Sequence, residues 1–304
     1  MRIAAIVNPV SGAGMDRDVA PRRVAMIRDE LGARGLTADI QLTDRGGHAR
    51  DLAKRAADSR ADLTIVWGGD GTVNEVGGGL AGTTTALGLI PAGSGNGLAG
   101  ALGVPFDPRA AIAVALGERT LDVDVGLANG HPFFNVAGIG FDAHVAQLFN
   151  QRRRGRGGKF PYVLIGVREG CRYIGKEYRI SLDSGRATTT TTVRALLIAF
   201  ANGSQYGMGM QIAPNAKLDD GMLEACVVVD RPVLSRFLHA RHLAAGTIDR
   251  APSLIRESVR GATVEADGEI VYHLDGELAV ASGRLEIAMR PGALRVKVPG
   301  AVST

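Results

Sequence analysis

The sequence predicts an α/β protein of two domains, the first built on a parallel sheet and the second an antiparallel β-sandwich. Its length of 304 residues suits about two domains of roughly 150 residues each. Up to about residue 120, short apolar runs alternate with longer stretches of helical spacing. From residue 121 onwards, β-branched runs of alternating polarity are separated by Gly, Asp and Asn turns, which indicates antiparallel strands.

In the N-terminal domain, residues 1–120, strands and helices are predicted to follow one another over short loops. The strand candidates are Ile3 to Val7, Ala38 to Leu42, Leu63 to Trp67 and Ala86 to Ile90, and the helix candidates are Val19 to Leu31 and His48 to Ala57. Because strands that alternate with helices pair in parallel, we expect a parallel sheet covered by helices. The C-terminal tail is a candidate addition to this domain.

In the C-terminal domain, residues 121–304, short strands are predicted throughout. The candidates are Leu121 to Leu127, Phe133 to Val136, Tyr178 to Leu182, Thr188 to Ala201, Met222 to Val229, Thr263 to Glu265, Glu269 to Leu274, Arg284 to Met289 and Leu294 to Val298. Many short strands with turn residues between them are typical of a sandwich of two antiparallel sheets.

The composition, with 45% hydrophobic and 22% charged residues, is ordinary for a globular enzyme and argues against a disordered chain. The net charge of +4 fits anionic partners such as nucleotides, phosphates or acidic lipid without choosing among them. The two cysteines lack CxxC spacing, which predicts reduced thiols in a cytoplasmic protein. No run of 18 apolar residues occurs, so no membrane-spanning helix is expected.

A glycine-rich loop, residues 68–72 (GGDGT), directly follows the third predicted strand and precedes a predicted helix. Glycines let the backbone turn and approach a ligand closely, and the free N–H groups of a helix start attract phosphate. Because an acid there would repel phosphate unless a cation intervenes, Asp70 suggests a divalent ion such as Mg²⁺. A turn without a ligand is the alternative for this loop taken alone.

Two further loops reduce the weight of that alternative. Residues 8–12 (NPVSG) follow the first predicted strand, and residues 91–97 (PAGSGNG) follow the fourth. In a parallel sheet all three loops emerge at one edge, where the ligands of open α/β sheets bind. The three loops together favour a site for a phosphate-bearing ligand over a plain turn.

Other nucleotide motifs fit less well. Residues 95–100 and 77–82 match GxGxxG, but neither follows the first strand, which disfavours a dehydrogenase. The Gly158-Lys159 pair is followed by Phe160 rather than by Ser or Thr, so the phosphate loop of P-loop NTPases is absent.

Five segments resemble motifs of the diacylglycerol kinase catalytic-domain family, which includes sphingosine kinases, ceramide kinases and bacterial lipid kinases. They are residues 68–75 (GGDGTVNE), 8–12 (NPVSG), 91–96 (PAGSGN), 218–224 (LDDGMLE) and 274–277 (LDGE). The Ser-Gly form of the third segment resembles the sphingosine kinase branch, whereas bacterial members often carry Thr. The segments follow the family order over nearly the whole chain. GGDGT alone would be weaker, because NAD kinases share it.

The resemblance implies an ATP-dependent kinase that transfers the γ-phosphate to a lipid hydroxyl, with ATP and Mg²⁺ bound. It implies nucleotide binding by residues 1–120 and lipid binding by residues 121–304, with the nucleotide between the two domains. The residues implied for the ATP site are Asn8, Pro9, Ser11, Gly12, Thr43, Gly68, Gly69, Asp70, Gly71, Thr72, Asn74, Gly93, Ser94 and Asn96. Asp70 is also expected to take part in catalysis.

The acidic motifs of the second domain carry the remaining expectations from the resemblance. A structural Mg²⁺ is implied at Asp220, with the backbone carbonyls of Lys217 and Met222. Glu277 is the implied general base, with Asp275 beside it. Plain β-turns are the alternative at both places, since Asp-Gly is a common turn sequence.

The lipid partner is less defined by the sequence. Residues 152–159 (RRRGRGGK) carry five positive charges and no acid, which suggests docking on an anionic membrane surface, although a solvated loop is the alternative. The run lacks the interleaved aromatic residues of nucleic-acid binders, so no nucleic-acid partner is expected. The acceptor stays open among diacylglycerol, a sphingoid base, phosphatidylglycerol and an undecaprenol-like alcohol. The oligomeric state also stays open, with a homodimer as one possibility. The alternative functions are an NAD kinase-like enzyme and a non-catalytic nucleotide-binding regulator.

Overall fold

The computed structural model describes residues 1–12, 18–152, 168–170, 172–204, 212–232 and 254–300. The chain divides into two compact units. Unit 1 comprises Met1–Val123 and Gly292–Thr304, and unit 2 comprises Asp124–Pro291. The division after Val123 lies close to the boundary expected after residue 120. The C-terminal segment from Gly292 belongs to unit 1.

Unit 1 is a parallel sheet with helices. Its elements are β1 (Ile3–Val7), α1 (Val19–Gly32), β2 (Ala38–Leu42), α2 (His48–Asp58), β3 (Leu63–Gly68), α3 (Asp70–Leu80), β4 (Ala86–Pro91), α4 (Gly97–Ala101) and α5 (Pro108–Ala115). β1 pairs in parallel with both β2 and β3, and β3 pairs in parallel with β4. Every residue of β3 and β4 is buried, as expected for strands covered on both faces.

Two strands belong partly to each unit. They are β5 (Thr120–Ala128) and β13 (Glu277–Lys297). The end of β13 extends the sheet of unit 1, because Val296 pairs in parallel with Leu87 of β4. The predicted strands Arg284 to Met289 and Leu294 to Val298 are therefore parts of one long strand rather than two.

Close packing explains the glycine run in α3. The buried residues of α2 are Ala49, Leu52, Ala53 and Ala56, which form one face of that helix. A Cβ atom at Gly79 of α3 would lie 2.8 Å from the Cβ of Ala53 and 2.9 Å from the carbonyl oxygen of Arg50. The GxGxxG match at residues 77–82 thus covers the end of α3 and the turn after it, and Gly79 serves the contact between two helices.

Unit 2 consists mainly of antiparallel strands. Its further elements are β6 (His131–Phe133), β7 (Val136–Gly140), α6 (Phe141–Arg152), β8 (Lys176–Asp183), β9 (Thr188–Ala201), β10 (Leu223–Val229), β11 (Leu254–Val259) and β12 (Gly261–Leu274). The strand order is β11-β10-β9-β7-β12-β13, every neighbouring pair is antiparallel, and β8 pairs with both β9 and β12. Side chains from these strands form a buried apolar core that includes Phe133, Ile198, Phe200 and Leu285.

Other strand predictions also differ from the structure. Residues 263–265 and 269–274 belong to one strand, β12, whose pairing with β13 shifts register between Glu265 and Glu269. The predicted strand Phe133 to Val136 is wrong, because residues 134 and 135 connect β6 to β7. β11 was not predicted, since Arg256 and Glu257 interrupt its apolar pattern.

No helix in the described ranges has the length and apolar character needed to cross a membrane.

Candidate active site

The first loop of unit 1 is ordered by Asn8, the residue after β1. Its side-chain oxygen accepts hydrogen bonds from the amides of Val10 (3.0 Å) and Ser11 (3.2 Å). The side-chain nitrogen Nδ2 of Asn8 donates a hydrogen bond to the hydroxyl of Thr72 at 2.8 Å, which joins the loop to the first turn of α3. Gly12 has a φ of 65°, and a Cβ there would clash with the carbonyl of Ala92. The first loop therefore contacts the loops that follow β3 and β4.

The second loop lies between β3 and α3, and α3 begins at Asp70. A Cβ at Gly68 would lie 2.5 Å from the Cβ of Thr72. A Cβ at Gly69 would lie 3.1 Å from both the Cα of Gly93 and the hydroxyl of Ser11. Glycine is needed at position 69 because the three loops approach one another closely, and at position 68 because the side chain of Thr72 lies against the backbone there; neither position has a positive φ.

The Asp70 carboxylate connects the second loop to the third. It accepts hydrogen bonds from the backbone amides of Asn96 (2.8 Å) and Gly97 (2.7 Å), at the start of α4. Asn96 has a φ of 53°, and its side chain bonds both the amide and the carbonyl of Gly93 at 2.8 Å. Amide donors stabilise the negative charge of a carboxylate, so backbone amides as well as a cation can accommodate Asp70 in this glycine-rich loop.

The other predicted nucleotide residues lie in or beside these loops. Thr43 follows β2, and its amide donates to the carbonyl of Val7 at 3.0 Å. Asn74 is half-buried in α3, and Ser94 is exposed in the third loop. Pro9 and Gly71 are half-buried in the first loop and in the first turn of α3. The structure thus places the predicted nucleotide residues at the carboxyl edge of one parallel sheet.

Sequence reasoning did not identify Arg23 of α1, which is buried beside the first loop. Its guanidinium donates to the carbonyls of Asn8 (2.6 Å) and Ser11 (2.5 Å), and it lies 5.3 Å from the ring centre of Trp67. Burial lowers the pKa of Arg23 from its usual value. Arg23, Ile27 and Leu31 are the buried residues of α1, so a cation on the apolar stripe of that helix was the available signal.

Glu75 is a second residue that sequence reasoning did not assign. Its carboxylate accepts hydrogen bonds from the amides of Gly47 (2.8 Å) and Ala49 (3.1 Å), at the beginning of α2. A carboxylate at a helix N-terminus stabilises the helix through its unsatisfied amides and its dipole. The glutamate of the GGDGTVNE segment thus joins α3 to α2.

In unit 2, Asp275 and Gly276 form the two-residue turn between β12 and β13. Their φ angles are 50° and 93°, as a tight hairpin turn requires. The Asp275 carboxylate accepts hydrogen bonds from the amides of Phe134 (2.8 Å), Asn135 (2.9 Å) and Val136 (3.0 Å). These bonds replace strand pairing at residues 134 and 135, which is why the predicted strand fails there.

Glu277 differs from Asp275 in its surroundings. Its side chain is exposed at the first position of β13. Among the residues that the structure describes, none forms a hydrogen bond or ion pair with its carboxylate. The turn therefore uses one acid to hold the backbone and presents the other to solvent.

The predicted metal ligands lie in the turn before β10. The Asp220 carboxylate accepts a hydrogen bond from the amide of Met222 at 3.0 Å, and Lys217 is exposed. Asp124, which sequence reasoning did not identify, is 2% exposed and accepts from the amide of Gly221 at 2.6 Å. The Asp124 amide donates to the carbonyl of Leu218 at 2.7 Å.

These groups fit a hard cation in chemical kind. Carboxylate and carbonyl oxygens are the donors that Mg²⁺ and Ca²⁺ prefer. Within the described ranges, no cluster of three or more His, Cys, Asp or Glu side chains is close enough to hold a metal ion. A cation at this turn would therefore depend on backbone carbonyls as well as on Asp220.

The basic run at residues 152–159 lies outside the described residues from position 153 onwards.

Comparisons with known proteins match both units. A model of the diacylglycerol kinase catalytic domain matches residues 2–128. A model of the YegS C-terminal NAD kinase beta sandwich-like domain matches residues 135–298.

Relatives and solved structures agree with these matches. "Probable lipid kinase YegS-like" of Chromohalobacter salexigens is 33% identical over 86% of this chain and 83% of its own length. The protein of the same name from Cronobacter sakazakii is 28% identical over 95% of this chain and 94% of its own length. The crystal structure of a "putative diacylglycerol kinase" from Bacillus anthracis is 27% identical, with a TM-score of 0.83 over 99% of this chain and 98% of that chain.

Proposed function

This chain belongs to the lipid kinase family that has a diacylglycerol kinase catalytic domain and a YegS-type C-terminal domain, and we propose that it transfers the γ-phosphate of ATP to a membrane-lipid hydroxyl. Membership in that family makes the chain a lipid kinase. We further propose which residues carry out the transfer, where Mg²⁺ binds, which class of acceptor is phosphorylated and which residues bind a membrane.

The observation that carries the proposal is the network joining the three loops of unit 1. Asn8 binds Thr72, and Asp70 binds the amides of Asn96 and Gly97. Phosphoryl transfer depends on positioning and on neutralising charge at the phosphates. Loops that hold one another in place can present backbone amides at fixed positions, and the buried guanidinium of Arg23 adds positive charge beside them.

A structural Mg²⁺ is proposed at Asp220, with the carbonyl oxygens of Lys217 and Met222. A second Mg²⁺ would accompany ATP, and Asp70 is the carboxylate that we propose acts toward it, directly or through water. Bound to the phosphates, Mg²⁺ supplies neutralisation of the charge on the transferred group. The amide donors on Asp70 would orient its carboxylate for this task.

We assign the general base to Glu277. The acceptor hydroxyl must lose its proton during the transfer, and a carboxylate within hydrogen-bond reach can take it. Glu277 is exposed, whereas the Asp275 carboxylate is held by three backbone amides. Asp275 is therefore proposed to position the turn rather than to accept the proton.

The acceptor class is proposed as diacylglycerol or a sphingoid-like lipid at a membrane surface. The basic run at residues 152–159 supports attraction to anionic lipid, since each basic residue near such a surface contributes about 1 kcal/mol. Replacing its four arginines with serine should weaken sedimentation with phosphatidylserine vesicles. Equal sedimentation of both proteins would contradict membrane docking by this run.

The deciding experiment supplies labelled ATP, Mg²⁺ and a panel of diacylglycerol, a sphingoid base, phosphatidylglycerol, an undecaprenol-like alcohol and NAD⁺. We expect a phosphorylated lipid and no phosphorylated NAD⁺. Glu277→Gln should lower kcat by about 10²- to 10⁴-fold, as removal of a general base does. The matched control, Glu269→Gln, changes another exposed glutamate of unit 2 and should keep the wild-type rate. Label in NAD⁺, or ATP binding without any product, would contradict the proposal.

A further inference from the structure

His273 and Asp142 form a buried pair beside the turn that carries Glu277. The Nε2 atom of His273 lies 2.6 Å from a carboxylate oxygen of Asp142, in the first turn of α6. The two residues are only 3% and 8% exposed. Neither residue belongs to a motif that the sequence singled out, although His273 directly precedes the LDGE segment.

The other nitrogen of the same ring contacts the turn. The amide of Gly276 donates to Nδ1 of His273 at 3.2 Å. An amide donor at Nδ1 requires a lone pair there, so the neutral ring carries its proton on Nε2, where it faces Asp142. The imidazole thus links a carboxylate of α6 to the backbone of the turn.

The strand beside the pair is shaped to admit it. His273 of β12 pairs with Gly138 of β7. A Cβ at Gly138 would clash with the Asp142 carboxylate and with Nε2 of His273. Glycine at position 138 therefore provides the space in which the two side chains meet.

The turn is held from two directions. The Asp275 carboxylate binds the amides of residues 134–136, and His273 binds the amide of Gly276. The backbone of Glu277 pairs with Leu274 and closes the hairpin. With both turn residues held, the direction in which the Glu277 side chain leaves the backbone is restricted.

We propose that Asp142 and His273 are positioning residues, which orient the Asp275-Gly276 turn through the Gly276 amide and so direct the carboxylate of Glu277. This inference rests on the proposed role of Glu277 as the general base. Removing a polar group from water is costly, and buried ionic pairs are often replaceable by apolar residues of similar size without loss of stability. A role in aligning the turn is a physical reason to keep such a pair.

The test uses side chains that imitate one ring nitrogen at a time. His273→Asn keeps an acceptor near the Nδ1 position and loses the contact with Asp142. His273→Gln keeps a donor near the Nε2 position and loses the acceptor for Gly276. Asp142→Asn and Gly138→Ala disturb the pair without changing the histidine. The matched control is Arg256→Gln, which removes another partly buried ion pair of unit 2, at 2.6 Å from Glu224.

Two measurements are made on the full chain. The first is hydrogen exchange of the Gly276 amide by NMR without substrate, which does not depend on kinase activity. It should be faster in His273→Gln and Gly138→Ala than in wild type or Arg256→Gln. The second is steady-state kinetics. In Asp142→Asn and His273→Gln, kcat should fall by about 10- to 100-fold relative to the wild type, while the KM for ATP stays unchanged. His273→Asn should keep more kcat than His273→Gln.

The outcomes separate this inference from the proposed function. Wild-type turnover together with an unchanged kcat in folded Asp142→Asn and His273→Gln would overturn the inference alone. If Asp142→Asn and His273→Gln instead lose their fold and the KM for ATP rises as kcat falls, the inference is also overturned, because the pair would then be purely structural. Absence of lipid phosphorylation by the wild type would overturn the proposed function, and the inference with it.

Discussion

The carboxylate of Asp70, at the first residue of α3, accepts a 2.7 Å hydrogen bond from the amide of Gly97, at the first residue of α4. It also accepts from the amide of Asn96. One acid thus ties together two of the loops that emerge from the parallel sheet. Its charge is shared between holding those loops and its proposed task toward Mg²⁺.

Asp70→Asn should lower both stability and activity. The carboxamide has one acceptor oxygen, so one of the two amides at the start of α4 loses its partner and faces an N–H group instead. An unsatisfied buried donor costs about 1 to 3 kcal/mol, which urea unfolding would measure. The matched control is Asp58→Asn, an exposed acid at the end of α2, which should change stability by less than about 0.5 kcal/mol. Equal unfolding free energies for the two variants would contradict this account.

Arg23→Lys should weaken ATP binding while keeping the charge. A single ammonium does not reproduce the fork that binds the carbonyls of Asn8 and Ser11. Loss of hydrogen bonds to a charged group costs about 1.5 to 3 kcal/mol, and the first loop should become less ordered. We expect a higher KM for ATP in kinase assays. Arg28→Lys, on the exposed face of the same helix, should match the wild type, and an equal KM for both variants would refute the role of Arg23.

Gly79→Ala should destabilise unit 1. The added Cβ would lie 2.8 Å from the Cβ of Ala53, and overpacking of this kind costs about 1 to 3 kcal/mol. Gly100→Ala in α4 is the opposite case, since a Cβ there meets nothing within 4 Å. Because alanine suits helices better than glycine, that variant should gain roughly 0.5 to 1 kcal/mol. Thermal unfolding of both would check the predicted opposite signs.

The stability of the protein should depend on pH through His273. Burial alone would lower its pKa, but the charge and hydrogen bond of Asp142, together with the charge of Asp275, raise it above the usual 6.5. The contribution of the charged pair to stability is therefore fully present below about pH 6.5 and is lost as pH rises through the folded-state pKa, above which the neutral ring accepts the Gly276 amide at Nδ1. In Asp142→Asn the sign of this dependence should reverse, because burial then outweighs the charge of Asp275 and lowers the pKa of His273; unfolding free energies measured above and below pH 6.5 would detect the reversal. An unchanged dependence in the variant would contradict the assignment.

Mg²⁺ should stabilise the wild type but not Asp220→Ala. A cation that binds only the folded state at about 100 times its dissociation constant adds about 2.7 kcal/mol to the free energy of unfolding. The matched control is Asp219→Ala, the neighbouring exposed acid, which should respond to Mg²⁺ as the wild type does. Identical responses of both variants would remove Asp220 from the proposed set of ligands.

The elements around the three glycine loops were predictable from the sequence. The structure has β1 at Ile3–Val7 and β2 at Ala38–Leu42, with the predicted bounds, and α1 and α2 each extend one residue beyond theirs. These elements follow from local patterns, namely apolar runs of strand length and helical spacing interrupted by glycine and proline. The loops are recognisable for the same reason, because glycine and asparagine directly follow a strand.

The sequence by itself determined the order of strands and helices in unit 1, the glycine loops and the presence of an Asp-Gly turn near the C-terminus. The tertiary structure decided what each polar group touches. Asp275 binds amides some 140 positions away in the chain, and Asp142 meets His273 over 131 positions. Arg23 is buried against the first loop and Trp67 rather than exposed. Local patterns report how a segment folds, whereas these contacts arise only when distant segments pack and leave water, so no short stretch of sequence encodes them.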